Sequence, residues 1–406
     1  MKILAVATFA FPDHFGGAER VITEVCQRLA QRGHSVTLTT SRPKNGLHIE
    51  ERDGVTVRRY DVDASSPAAF YRSVFSGVRT VLADLPEQPD VVHLHQILSS
   101  IAALAPGSPL RGVPVAGSFY APYHREYLAR FRQGRDEGAA STKARFVAGI
   151  LAKGDRYVLK RCTQILALSD FSVSQINEIL PDAVERTTVA PAGIDLDRFH
   201  PIATEAERQA TARSFSLPDS RPLLLSVRRL VPRMGLTDLI EATDQLTQGG
   251  ANAHLVLAGE GESREALQSQ VEKAGLEKRV TFLGRVEEED LPRLYQAASI
   301  FILPTRALEG FGMATAEALA SGLPIVATDV GATREVLEGC HGALLVPPGD
   351  PLSLARALST LLDNTEHRGA LCNSARSHAE GHFHWDHHLD AVEKVLDRAR
   401  GGPKDA

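Results

Sequence analysis

Ser299-Ile300-Phe301-Ile302-Leu303-Pro304-Thr305-Arg306-Ala307-Leu308-Glu309-Gly310-Phe311-Gly312-Met313-Ala314-Thr315-Ala316-Glu317-Ala318-Leu319-Ala320 is the run that decides the fold. Ser299 to Leu303 is uninterrupted apolar chain and reads as a buried strand. Ala314 to Ala320 is rich in alanine and leucine and reads as a helix. Between them lies a turn with glycines at 310 and 312. A helix start flanked by glycine offers unpaired backbone N–H groups and a partial positive charge, which suits phosphate. Glu309 and Glu317, eight positions apart, suit hydroxyls instead, because a carboxylate accepts hydrogen bonds. A ligand that is both anionic and polyhydroxylated satisfies both halves, and a sugar nucleotide has that chemistry.

The same strand–turn–helix unit recurs from end to end. Strands are expected at Ile3–Thr8, Val36–Thr39, Val55–Arg59, Val91–Leu94, Val113–Gly117, Gln164–Leu168 and Thr187–Val189. A second series follows at Leu223–Val227, His254–Ala258, Val280–Leu283, Ile300–Leu303, Ile325–Ala327 and Ala343–Val346. Their nearly continuous apolar character argues for parallel strands covered on both faces. Helical patterns lie between them, among them Ala18–Gln31, Gly235–Leu246 and Leu352–Leu361. Two such arrays imply an α/β fold of two doubly wound, Rossmann-like domains facing across a cleft. The expected domains are 1–200 and 201–380. Pro191 to Ser220, poor in periodic pattern, is the expected connection. A final helix, 387–400, is expected to pack back on the N-terminal domain.

Length and composition agree with this. The chain has 406 residues, of which 43% are hydrophobic, enough for a core in each domain. A net charge of −5 argues against non-specific nucleic-acid binding. The four cysteines are far apart and form no CxxC pair, so a disulfide or zinc framework is not expected and a reducing compartment is. The apolar run at the N-terminus is short and meets Pro12 and Asp13, and it reads as a first strand rather than a leader. No apolar run reaches the roughly 20 residues that span a bilayer. A cytoplasmic protein is expected. Residues 121–161 hold ten lysines and arginines against four acids, with aromatic residues interleaved. That segment is either a solvated basic helix or a peripheral contact with an anionic membrane face.

Several short patterns carry chemistry. Gly16-Gly17 opens the first helix and can cradle phosphate or an acceptor through backbone amides. It is not a GxGxxG fingerprint, which argues against a dinucleotide dehydrogenase. Gly259-Glu260-Gly261 also lacks the third glycine, since Arg264 stands there. The strand ending at Val227 runs into Arg228-Arg229-Leu230-Val231-Pro232-Arg233-Met234-Gly235, and guanidinium groups there suit a diphosphate. Asp61-Val62-Asp63 resembles a metal-binding D-x-D but ends a strand of a parallel array. His93 and His95 share one face of a strand without a third ligand nearby. His382, His384, His387 and His388 read as exposed.

Taken in order, these elements are recognisable. The chain resembles the family 4 retaining glycosyltransferases, which have the two-domain GT-B fold. The resemblance rests on Gly16-Gly17-Ala18-Glu19, on Asp90 to His95, and on Ala190-Pro191-Ala192-Gly193-Ile194-Asp195 with its continuation to Phe199. It continues through Arg229-Leu230, Gly259-Glu260-Gly261, Phe282 to Val286, the pair Glu309 and Glu317, and Gly342 to Asp350. It implies that Glu309 contacts the transferred sugar, that the backbone of Gly310, Phe311 and Gly312 approaches sugar and diphosphate, and that Glu317 holds the ribose. Arg229 would hold the diphosphate with Arg233 beside it, Arg285 and Val286 would lie near the base, and Gly16, Gly17 and Gly259 would complete the donor site. His93, Tyr120 and His124 would face the acceptor, and Glu309, Arg229 and Tyr120 would carry catalysis. No metal or cofactor is implied beyond the nucleoside diphosphate sugar, UDP- or GDP-linked. Two positions depart from the family pattern: Met234 replaces a lysine, and Tyr120 replaces a histidine. A GT-B epimerase and a catalytically impaired sugar-nucleotide binder therefore stand as alternatives to a hexosyltransferase acting on a glycan or lipid-linked hydroxyl.

Overall fold

The computed structural model describes residues 1–129, 141–363 and 365–401, side chains of 365–368 excepted. The chain divides into two compact units. One takes in Met1–Tyr127, Thr142–Gly193 and the chain from Asp386; the other is built on Ile194–Trp385.

The first unit is a sheet of β1 (Lys2–Val6), β2 (Ser35–Ser41), β3 (Ile49–Arg52), β4 (Val55–Tyr60), β5 (Val91–Leu94), β6 (Val115–Phe119), β7 (Gln164–Ala167) and β8 (Thr187–Val189). Their spatial order is β3-β4-β2-β1-β5-β6-β7-β8. All neighbours pair in parallel except β3 and β4. β3 was not expected. It is joined to β4 by Asp53 and Gly54, both at positive φ, the two-residue hairpin turn that Asp-Gly favours. β6 starts two residues later than expected because Pro114 has no N–H to give the ladder; its carbonyl instead accepts from Val92. Helices cover both faces. The helix Pro67–Ala83 begins where Ser66 caps the Ala69 N–H and proline takes the first helical position. The last helix, Trp385–Ala399, returns to this unit. Arg32 binds Asp390 and Glu393 on it at 2.7 Å each, and Leu389, Val392 and Leu396 are buried.

The second unit is a six-stranded parallel sheet of β9 (Leu223–Val227), β10 (His254–Ala258), β11 (Val280–Gly284), β12 (Ile300–Leu303), β13 (Ile325–Thr328) and β14 (Ala343–Val346). The order is β11-β10-β9-β12-β13-β14. β12 and β13 are buried along their whole length, as strands covered on both faces must be. Much of the expected connection proves to be ordered structure of this unit. Ile194 bridges His384, and Glu205–Ser214 is a helix opened by a capping box between Thr204 and Glu207.

Strand order reverses between β1 and β5 in the first sheet and between β9 and β12 in the second. In doubly wound sheets the loops leaving such strands diverge to opposite faces and open a crevice at their carboxyl ends. The chain beyond β9 is the arginine run. The chain beyond β12 is the Thr305–Glu317 turn.

Candidate active site

The turn after β12 is held from several sides. Gly235 lies so close that a Cβ there would stand 1.8 Å from the Pro304 carbonyl oxygen. Arg306 grips buried Asp238 through two bonds of 2.6 Å, tying the turn to the helix Leu236–Gln248. Leu308 sits at φ 61°, a backbone region a branched side chain rarely enters. Arg233 stabilises it by donating to the carbonyls of Leu308 at 2.9 Å and Ala307 at 3.3 Å. The Glu309 carbonyl accepts from Ala332 at 2.9 Å, and a Cβ on Gly331 would lie 2.2 Å from it. Gly312, at φ 86°, then starts the helix Met313–Ala320. No side chain caps that start, so its polar N-terminal amides face the turn that carries Glu309.

This bracing puts the Glu309 carboxylate in a defined place. Its Oε2 accepts from Arg228 at 2.5 Å and from the Thr305 hydroxyl at 2.8 Å, and Arg228 also donates to Thr305. Oε1 has no hydrogen-bond partner among the described residues. Burial alone would raise the carboxyl pKa. The charge and hydrogen bond of Arg228, the Thr305 hydroxyl and the nearby Arg233 outweigh it and hold Glu309 below the usual carboxylate value. The group is thus an ionised acceptor with one oxygen anchored and one unused.

Glu317 lies one helical turn further in and is buried; its Oε2 accepts from Tyr295 at 2.7 Å. Arg229 is exposed at the carboxyl end of β9 and makes no side-chain hydrogen bond or ion pair among the described residues. Gly259 and Gly261 act on that segment directly: a Cβ on either would strike the Arg228 or Leu230 carbonyl oxygen, at 1.9 and 2.3 Å. The residues before them accept from it, Ala258 from the Arg228 N–H and Glu260 from the Leu230 N–H. Met234 belongs to the hydrophobic core. Arg285 is exposed and Val286 half-buried beyond the edge strand β11.

In the first unit, Gly16 precedes and Gly17 opens the first helix, Gly17–Gln31. Gln96, beyond β5, clamps this loop. Its Oε1 accepts from Thr8 and Phe9 N–H at 2.8 and 2.7 Å, while its Nε2 donates to Glu19 at 2.9 Å. His93 and His95 lie with ring centroids 4.0 Å apart, tilted by 44°. His93 bonds Ser118 at 2.8 Å, and His95 Nδ1 bonds the Tyr120 hydroxyl at 2.9 Å. His388, expected to be exposed, is buried beside them and bonds the Pro191 carbonyl at 3.0 Å. It lies on the buried face of the last helix with Leu389, Val392 and Leu396; His382, His384 and His387 are exposed as read. Burial pushes His93 down to about 3 and His388 to about 4, and His95 well below its ordinary value. Tyr120, raised by burial, stays a neutral phenol. His124 Nδ1 meets buried Asp155 at 2.6 Å. Asp61 of the D-x-D pairs with Arg42, and Asp63 accepts from the Ser65 N–H. Among the described residues no three His, Cys, Asp or Glu side chains could hold a metal ion together.

Sequence reading named Glu309, Glu317, Arg229 and the glycines. It missed Arg228 as the partner of Glu309, and it missed Thr305, Gln96 and Asp155. It named Arg233 for the diphosphate; that guanidinium also donates to the Leu308 and Ala307 carbonyls of the turn.

The sequence matches the family described as glycosyl transferases group 1 over residues 207–378, and Glycosyltransferase Family 4 over residues 15–198. It is 25% identical to a 2-deoxystreptamine N-acetyl-D-glucosaminyltransferase of Streptomyces fradiae, with 98% of this chain and 96% of that one aligned. It is 32% identical to a GDP-mannose-dependent monoacylated alpha-(1-6)-phosphatidylinositol monomannoside mannosyltransferase of Corynebacterium glutamicum, over 51% of this chain and 55% of that one. Its fold matches that of Anabaena Alr3699/HepE, solved in complex with UDP-glucose, with a TM-score of 0.74 at 20% identity over 98% of this chain and 100% of that one. The two parallel sheets are the Rossmann-like halves of the GT-B fold. The chain belongs to the family 4, group 1 glycosyltransferases, enzymes that transfer a sugar from a nucleotide-sugar donor.

Proposed function

We propose that the protein is a retaining hexosyltransferase that moves a hexose from a UDP- or GDP-sugar to a hydroxyl of a glycan or lipid-linked acceptor, without a metal ion. The observation that carries this reading is the Glu309 carboxylate, ionised and with Oε1 unused, at the reversal point of the second sheet beside an uncapped helix start. Glu309 accepts from a hydroxyl of the transferred sugar. Glu317 serves the ribose. Arg229 and the amides near Gly312 take up charge as the diphosphate leaves. The anomeric carbon–phosphate oxygen bond breaks, and the acceptor oxygen bonds the same carbon on the same face. The acceptor proton passes to the departing phosphate oxygen. Arginine and helix amides supply the positive charge that a metal supplies elsewhere, so EDTA leaves turnover unchanged.

The acceptor is proposed to be reached at an anionic membrane face. The helix Thr142–Arg161 supports this, with Phe146 and Ile150 exposed one turn apart among lysines and arginines. Residues 130–140 of the same basic segment lie outside the described residues. No described helix is long and apolar enough to cross a membrane.

A thermal-shift series with UDP, GDP and ADP and their sugars tests the donor class. Stabilisation by NAD(P) alone would overturn the reading. Isomerised sugar from donor without acceptor would point to an epimerase, and binding without transfer across a broad acceptor panel to a binding protein.

A further inference from the structure

The arginine run after β9 divides its labour. Arg233 is committed to the carbonyls of the turn, Met234 is in the core, and Arg229 is exposed. Arg228 alone reaches the Glu309 carboxylate, and its own side chain is only 6% exposed. It is also fixed at the backbone. Its N–H donates to Ala258, and its carbonyl lies against Gly259, where a Cβ would come within 1.9 Å. The turn fixes Glu309 equally, through Ala332 and Gly331. Arg228, Thr305 and Glu309 therefore form a closed triangle of hydrogen bonds between two strand ends of the reversal point.

We propose that Arg228 is a positioning residue for sugar transfer: by binding Oε2 it sets the Glu309 carboxylate in one orientation and leaves Oε1 to accept from the donor sugar. The proposal rests on the reading of Glu309 as the sugar contact.

A buried carboxylate without a counter-charge takes up a proton, because burial disfavours the charged form. A protonated Glu309 donates where it must accept, and its rotamer is no longer specified. The charged groups acting on Glu309 are Arg228 and Arg233, with Arg306 held by Asp238. Arg233 remains after loss of Arg228 but bonds carbonyls, so it lends field without geometry. The role is distinct from diphosphate binding, which would require Arg228 to release the carboxylate.

The test is the pH dependence of kcat/KM in Arg228→Met, Arg228→Lys and Thr305→Val, read beside nucleoside diphosphate affinity. Arg228→Met should lower kcat/KM at neutral pH by at least about tenfold and move its acid limb up by about one pH unit or more. Affinity for the nucleoside diphosphate should change less than about twofold, since Arg229 and Glu317 remain. Arg228→Lys should restore the acid limb but only part of the turnover, because an ammonium lacks the planar fork. Thr305→Val, nearly isosteric, should shift the limb the same way by less, and it carries the test if Arg228→Met does not fold. An acid limb that stays put in every folded variant would overturn the proposal. So would a loss of nucleotide affinity as large as the loss of turnover. Glu309→Gln separates the two layers: wild-type turnover in that variant would sink the sugar-contact reading itself. A nearly inactive Glu309→Gln with an unmoved limb in Arg228→Met would sink only the role of Arg228.

Discussion

On the proposed reading, the chemistry at Glu309 depends on a carboxylate that is both buried and charged. A hydrogen bond to a charged group contributes on the order of 1.5–3 kcal/mol. Glu309→Ala should therefore lower turnover by about 10–150-fold with nucleoside diphosphate affinity retained, and Glu317→Ala should weaken nucleotide binding by a similar factor. Steady-state kinetics with calorimetry separates the two; equal effects on both quantities in both variants would refute the assignment. Arg229 is the complementary case. It is exposed and makes no side-chain hydrogen bond or ion pair among the described residues, so Arg229→Ala should leave the melting temperature nearly unchanged. Its kcat should fall by about 10²-fold or more if the guanidinium meets charge growing on the leaving group.

The turn Thr305–Gly312 is the element that makes these residues a site. It is a loop with a strained residue at its centre, and three arginines and two crowded glycines hold it. Arg306→Ala would leave Asp238, 3% exposed, as a buried charge without its partner. Breaking such a pair costs about 3–5 kcal/mol. A fall of that size should appear in the denaturation midpoint, with activity lost in parallel. Gly259→Ala attacks the neighbouring element from behind. At φ 135° and 1.9 Å from the Arg228 carbonyl, a methyl group must push the arginine run away, so a drop in both stability and kcat is expected. Full activity in that variant would show that the run need not lie where it does.

Across the whole molecule, histidines with depressed pKa values contribute to the loss of stability in acid, and three of them are buried in the first unit. His93, His95 and His388 have depressed folded pKa values, so they are held neutral and the folded state binds fewer protons than the unfolded one. The stability they permit is complete above the unfolded value near 6.5 and is lost as pH falls toward about 3 for His93 and about 4 for His388. Each uncompensated proton steepens the loss by about 1.4 kcal/mol per pH unit. Urea midpoints between pH 7 and 5 should fall accordingly, and His388→Gln should flatten the slope. An unchanged slope would mean that these rings are not held neutral. Since His388 lies on the last helix, acid should act on the contact of that helix with the Ala190 and Pro191 carbonyls.

Local pattern determined much of this protein by itself. Apolar runs of four to six residues ending in glycine-rich turns specify parallel strands, and strands such as Leu223–Val227 and His254–Ala258 are read to the residue. Glu309 and Glu317 were legible because they flank a glycine-rich turn between an apolar strand and a helix-forming run. The hairpin at Asp53-Gly54 and the capping box at Thr204 were written locally too, in signals too short to show as periodicity. What only the tertiary structure decided is pairing across distance. Arg228 meets Glu309 across 81 positions because strand order reverses between β9 and β12. His388 lies beside His93 and His95 because the last helix returns to the first unit. Period and turn chemistry act between near neighbours in the chain, whereas the counter-charge of a buried group is set by whichever strand ends the sheet brings together.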